Sequence, residues 1–216
     1  MTTSWSIPTV PPAARVLHVR GPFDFCSILI RAMKVVISLL RGINLGGHHK
    51  IKMSDLCALY GSLGHCDARS HINSGNVVFR TAERDLGAVA KKLEGAIEKK
   101  CGFHADVLVR TTAELRDVIR RNPFGKREDI HPGKLLVTFL PKKLAADVSE
   151  QIRNFNADPE EMHLDGREIY TYFPDGAGRS KLFSALSGKL LKNEGTSRNW
   201  NTVLRLMDIA EELEAL

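Results

Sequence analysis

No stretch of this chain is long and apolar enough to span a bilayer; the nearest candidate, Ser27 to Ile30, is a few residues in a region broken by prolines. As a targeting peptide or membrane anchor the segment is therefore expected to be poor. Cysteine is scarce as well: Cys26, Cys57, Cys66 and Cys101 form no CxxC pair. Without a leader they read as reduced thiols of a cytoplasmic protein. His65 beside Cys66 lacks a second ligand pair at zinc-type spacing, so no metal site is assigned. Several catalytic and binding signatures are missing too. There is no GxxxxGK[ST] phosphate loop, no GxSxG elbow and no RNP1 pattern, and spacing assigns no His–Asp pair to Ser74 or Ser180. Catalytic residues and cofactors therefore stay unassigned.

What is present is ordinary globular material. The chain has 216 residues, 43% hydrophobic and 26% charged, with a net charge of +6. This excludes disordered and fibrous classes, allows two half-size modules, and favours polyanionic partners without requiring them. Pro8, Pro11, Pro12 and Pro22 cluster in residues 1–32, which end just before a second methionine, Met33. That arm is expected to be disordered or to result from a wrongly placed start codon.

From there the periodicities predict two similar halves, 33–110 and 111–216. The apolar, β-branched run KVVISLL (34–40) reads as a buried strand. A polar, glycine-bearing loop follows, then a helix from Met53 with Ser54 as N-cap. ARSHINSGNVVFR reads as a hairpin turning on the two residues Ser74-Gly75. A helix over Arg84–Lys100 and the strand HADVLVR complete a βαββαβ order. After a helix at Thr112–Arg121 the order nearly repeats: strand KLLVTFL, helix Leu144–Phe155, a hairpin at Asp165-Gly166 and helix Ser180–Leu191. A last helix, Trp200–Leu216, is expected to lie across both halves, its acidic end opposing the helix dipole. The expected fold class is α/β of the α+β type: two ferredoxin-like βαββα halves, with antiparallel or mixed sheets covered by helices, plus a C-terminal helix.

Three segments stand out together: LLRGINLGG (39–47) with KMSDL after it, NSGNVVF (73–79), and GRSKL (178–182) followed by TSRNWNTVLRL (196–206). On these the chain from Met33 onward resembles the bacterial domain-of-unknown-function 1697 family. The resemblance implies an α/β fold and no established biochemical activity. Similar proteins carry polar or basic residues where His48 and His49 stand, so the resemblance does not make that pair a metal site.

Candidate ligand-binding residues come from four polar segments. Arg41, Asn44 and Lys52 lie on the loop after the first strand, whose backbone N–H groups suit an anion. Arg179, Ser180 and Lys181 combine a guanidinium fork, a hydroxyl and a point charge before a helix, where Ser180 also reads as an ordinary N-cap. Arg198, Asn199 and Trp200 open the last helix; Trp200 reads as a core anchor ahead of a stacking platform. Asn76 closes the NSGN turn, which hairpin chemistry also explains. The first functional expectation is a module binding a phosphate-bearing ligand, nucleotide or nucleic acid. Its rivals are an enzyme acting on a small anionic substrate in the cleft between the halves, with Ser180, Asn76, Asn199 or His71 taking part, and a non-catalytic assembly protein.

Overall fold

The computed structural model describes residues 33–155, 157–191 and 194–216. The expected arm 1–32, with Cys26, lies outside them. In the first half, β1 (Lys34–Leu40), α1 (Met53–Ser62), β2 (Cys66–His71), β3 (Asn76–Thr81), α2 (Leu86–Cys101), β4 (Val107–Thr111) and α3 (Thr112–Arg120) follow in order. The second half repeats that order: β5 (Leu135–Phe139), α4 (Ala146–Arg153), β6 (Glu161–Asp165), β7 (Glu168–Tyr172), α5 (Lys181–Ala185), β8 (Thr196–Asn199) and α6 (Trp200–Glu214). Each half forms its own four-stranded antiparallel sheet, ordered β2-β3-β1-β4 and β6-β7-β5-β8.

β1 is apolar on both faces because its sheet is covered on both. Val36 and Leu40 point outward to Leu56, Tyr60, Leu93 and Ile97 of α1 and α2. Val35, Ile37 and Leu39 point inward to a central layer shared with Leu135, Val137 and Phe139 of β5. That layer is filled by α3 and α6. Leu115 and Val118 come from α3, and Val203, Leu206, Ala210 and Leu213, all nearly or fully buried, come from α6. Each buried leucine or valine among them stabilises the fold by roughly 1.5–3 kcal/mol through area removed from water.

The two central helices tie the halves together. α6 crosses to the first sheet, where the Arg80 guanidinium donates to the Leu213 carbonyl and Arg69 pairs with Glu212 at 3.3 Å. α3 lies against its own sheet and reaches the second through single bonds: the Tyr170 hydroxyl donates to the Val118 carbonyl at 2.8 Å, and Arg121, just after the helix, pairs with Asp165 at 2.6 Å. Acidic residues at the end of α6 are held by arginines: Glu211 and Glu214 by Arg116, Glu212 by Arg69 and Arg205. Those pairs offset the unfavourable helix dipole.

Local chemistry differs from expectation at four places. The first hairpin turns over four residues, Ile72–Gly75, because His71 pairs with Asn76. The N-cap of α1 is Lys52, with no side-chain cap bond, rather than Ser54. The helix expected over Ser180–Leu191 is five residues of α-helix followed by a π-helical turn, Leu186–Leu190. Thr196–Asn199, read as a polar helix start, is an edge strand bonded to β5.

A candidate anion site between the halves

The end of β1 is drawn tightly onto the first hairpin turn. The Leu40 amide donates to the Gly75 carbonyl at 2.8 Å. Gly75 has φ +74°, and a Cβ there would stand 2.7 Å from Leu40 Cβ and 2.8 Å from Ile43 Cδ1, so only glycine permits the approach. Asn76 is fully buried beside it. Its Nδ2 donates to the His71 carbonyl at 3.1 Å and to Ser74 Oγ at 2.8 Å, which turns Oδ1 toward the second half.

There it meets Arg198 of β8. Nε donates to Asn76 Oδ1; Nη1 donates to Thr196 Oγ1 at 2.7 Å and the Ser197 carbonyl at 2.9 Å; Nη2 donates to the Leu40 carbonyl at 2.6 Å and the Ser74 carbonyl at 3.1 Å. All five N–H donors of the guanidinium are thereby used. Every acceptor is neutral. The side chain is 7% exposed, and burial lowers its pKa to about 10, so it is still a cation at neutral pH.

Arg110 of β4 is its counterpart by register. Arg110 lies opposite Ile37 and Arg198 opposite Val137; Asn76 lies opposite Leu39 and Glu168 opposite Phe139. The two arginines clamp the halves reciprocally, Arg198 reaching the Leu40 carbonyl and Arg110 the Leu140 carbonyl, each at 2.6 Å. Here the equivalence breaks. Arg110 faces the carboxylate of Glu168 at 3.4 Å, within a network where Arg121 pairs with Asp165 and Glu168 and Arg167 pairs with Glu114. Where that network has a buried carboxylate, the Arg198 position has the neutral amide of Asn76.

Arg198 lines a cleft of about 420 Å³ between the halves. Arg41 lines it too, its Nε donating to Asp106 at 2.8 Å. Burial opposes ionisation of Asp106, but the bonds from Arg41 and His104 outweigh it and hold the carboxyl below its usual range. Ser74, Thr138 and Ser197 add hydroxyls, with Thr138 Oγ1 and Ser197 Oγ 2.7 Å apart. The apolar part of the lining includes Leu45, Phe183, Leu186 and Leu191. Among the described residues lining the cleft there is no carboxylate.

The sequence-predicted residues divide as follows. Arg41, Asn76 and Arg198 converge, with Asn76 and Arg198 bonded to each other. Asn44 braces the loop against the turn, accepting from the Ile51 amide at 2.9 Å and donating to the Asn73 carbonyl at 2.8 Å. With Lys52 it lines a separate open depression, beside Lys50 and Lys100. Arg179 and Lys181 are exposed and do not line this cleft, and Ser180 caps α5 by accepting from the Phe183 amide at 3.0 Å. Asn199 caps α6, accepting from the Asn201 amide at 3.0 Å, and Trp200 is buried in the central layer. Sequence reasoning missed Thr138, Ser197 and the Phe183–Leu191 wall. The detectable signal was an Arg followed by a cap residue at the same place in both halves, Arg110-Thr111 and Arg198-Asn199.

A family model described as a protein of unknown function, DUF1697, matches residues 33–170. No curated protein matches the chain. Among solved structures, the conserved bacterial protein SP0830 from Streptococcus pneumoniae is similar in fold, with a TM-score of 0.69 at 20% identity over 83% of this chain and 99% of that one. Among the described residues, no helix is long and apolar enough to cross a membrane.

Proposed function

Because this chain belongs to the DUF1697 family, which carries no assigned activity, its function has to be argued from its own cleft, and we propose that it binds a small phosphate-bearing ligand there. The observation that carries this reading is the buried Arg198 cation, which meets only neutral oxygens at the wall of an acid-free cleft. A desolvated charge is costly without a counter-ion. The duplicated position shows the alternative, since there a carboxylate supplies the balance. An anion in the cleft would supply it here. Because Arg198 has no free donor, the anion would be held by the field of Arg198 and directly by Arg41, Ser74 and Ser197. A small ligand is favoured over a nucleic acid strand, because the cation is enclosed between the halves rather than set on an exposed basic stripe.

The test is thermal unfolding with inorganic phosphate, pyrophosphate and nucleoside monophosphates. A ligand at about a hundred times its dissociation constant stabilises by roughly 2.7 kcal/mol, which moves the midpoint of a chain this size by about 5–10 °C. The stabilisation is expected to shrink in Arg41→Gln. No shift with any probe, or a shift indifferent to Arg41→Gln, would remove the basis for this site.

A further inference from the structure

Resting on the anion site just described, we propose that its ligand is amphipathic: a single anionic head, carboxylate or phosphate monoester, joined to an apolar acyl or aryl body. The lining is of two kinds: the cations Arg41 and Arg198 share the cleft with Leu45 and with an apolar wall from one segment, Phe183, Leu186 and Leu191.

Leu45 is the informative residue, since its side chain is 65% exposed although it lines the cleft. It is not on a wandering tip. The His48 amide donates back to the Leu45 carbonyl at 2.9 Å, and the neighbouring Asn44 is tied to Ile51 and Asn73. A large apolar side chain held open to water gains free energy when an apolar group covers it. Phe183 is held just as firmly, edge-on to Phe173 with ring centroids 6.0 Å apart.

The backbone of that wall is specialised. Leu186–Leu190 is a π-helical turn, a geometry that recurs at functional sites because it re-aims side chains without ending the helix. Beside Leu191, Gly195 lets the chain pass close to β5, since a Cβ there would stand 2.9 Å from Thr138 Cγ2. At about 420 Å³ the cleft falls within the size range of small-molecule sites, about 300–1,000 Å³. A polyphosphate or an oligonucleotide would set its second charge against leucine and phenylalanine, whereas an acyl or aryl group would bury the same surface.

Calorimetric titration of the full chain with inorganic phosphate, phenyl phosphate, acetate, phenylacetate and a short oligonucleotide tests this, repeated with Leu45→Ser. Leu45 is exposed, so its replacement leaves the core intact. Phenyl phosphate or phenylacetate is expected to bind on the order of tenfold tighter than its head group alone, the effect of about 60 Å² of apolar surface removed from water. Which pair shows the gain identifies the head. Leu45→Ser should reduce the gain several-fold. Equal binding of phosphate and phenyl phosphate, a preference untouched by Leu45→Ser, or tighter oligonucleotide binding would overturn the amphipathic ligand while leaving the anion site standing. No binding of any probe would overturn both.

Discussion

Replacing Asn76 with aspartate supplies the carboxylate that the Arg198 position lacks and that Glu168 provides to Arg110. Two effects on stability oppose each other. The bond from Arg198 Nε becomes charge-assisted, worth about 1.5–3 kcal/mol against roughly 0.5–1.5 for the neutral one. Against that, aspartate has no N–H for the His71 carbonyl, now bonded at 3.1 Å, and an orphaned buried acceptor costs about 1–3 kcal/mol. Ser74 Oγ, at 2.8 Å, can turn and donate instead. The net change in stability should lie within about 1–2 kcal/mol of zero. Anion binding should respond very differently. A unit charge about 6 Å from an anion contributes roughly 3 kcal/mol at an effective dielectric near 20, about two orders of magnitude in affinity. Asn76→Asp cancels that field without altering the cleft's shape. Titration of both proteins with the tightest-binding anionic probe, alongside urea unfolding to show that both are folded, reads the difference. If folded Asn76→Asp binds that probe as tightly as the parent, the charge of Arg198 has no part in recognition and the reasoning fails.

Other perturbations follow from the same geometry. Arg198→Lys offers three donors to five acceptors and should lower stability by about 3 kcal/mol or more, read as a shifted urea midpoint; a loss under about 1 kcal/mol would mean the clamp is dispensable. Gly75→Ala forces a methyl group into Leu40 and Ile43 at positive φ, so roughly 2 kcal/mol should be lost, and wild-type stability would contradict the close packing. His65 is almost fully buried between Tyr60 and Phe79, and burial first, then the nearby Lys92 charge, lowers its pKa. Its unfolded form therefore takes up a proton first as pH falls through about 6.5, and stability should decline below that point. His65→Leu should flatten the decline over pH 7 to 5 in thermal melts, and an identical slope in both proteins would rule His65 out as its source.

Much of the architecture was legible because local period and burial agree. KVVISLL, apolar and β-branched, suits a buried strand and forms one, and Leu86, Val89, Leu93 and Ile97 repeat at helical spacing over α2. Glycine and capping residues marked most boundaries. β8 was hidden for a physical reason: TSRN has no apolar side chain, and it is a strand only because β5 offers a hydrogen-bonding edge. The π-helical turn was equally invisible, since its residues have ordinary helical composition.

The candidate site was legible as a set of residue types and illegible as a place. Arg41, Asn76 and Arg198 could be chosen as polar residues in glycine-bearing or polar segments, but Asn76 and Arg198 meet across 122 positions of sequence. Arg179 and Lys181 showed the same local chemistry and stand elsewhere, because charge in sequence says nothing about which face of which element carries it. By itself, the sequence determined the order of strands and helices in the first half, that of the second half apart from β8, and the presence of glycine at the hairpin turns, since these depend on side-chain period and local backbone sterics. Only the tertiary structure decided that α6 packs on the first sheet, that two arginines clamp the halves, and that one faces a carboxylate while the other does not. Those outcomes depend on sheet register and on which long-range partners burial leaves for a desolvated charge.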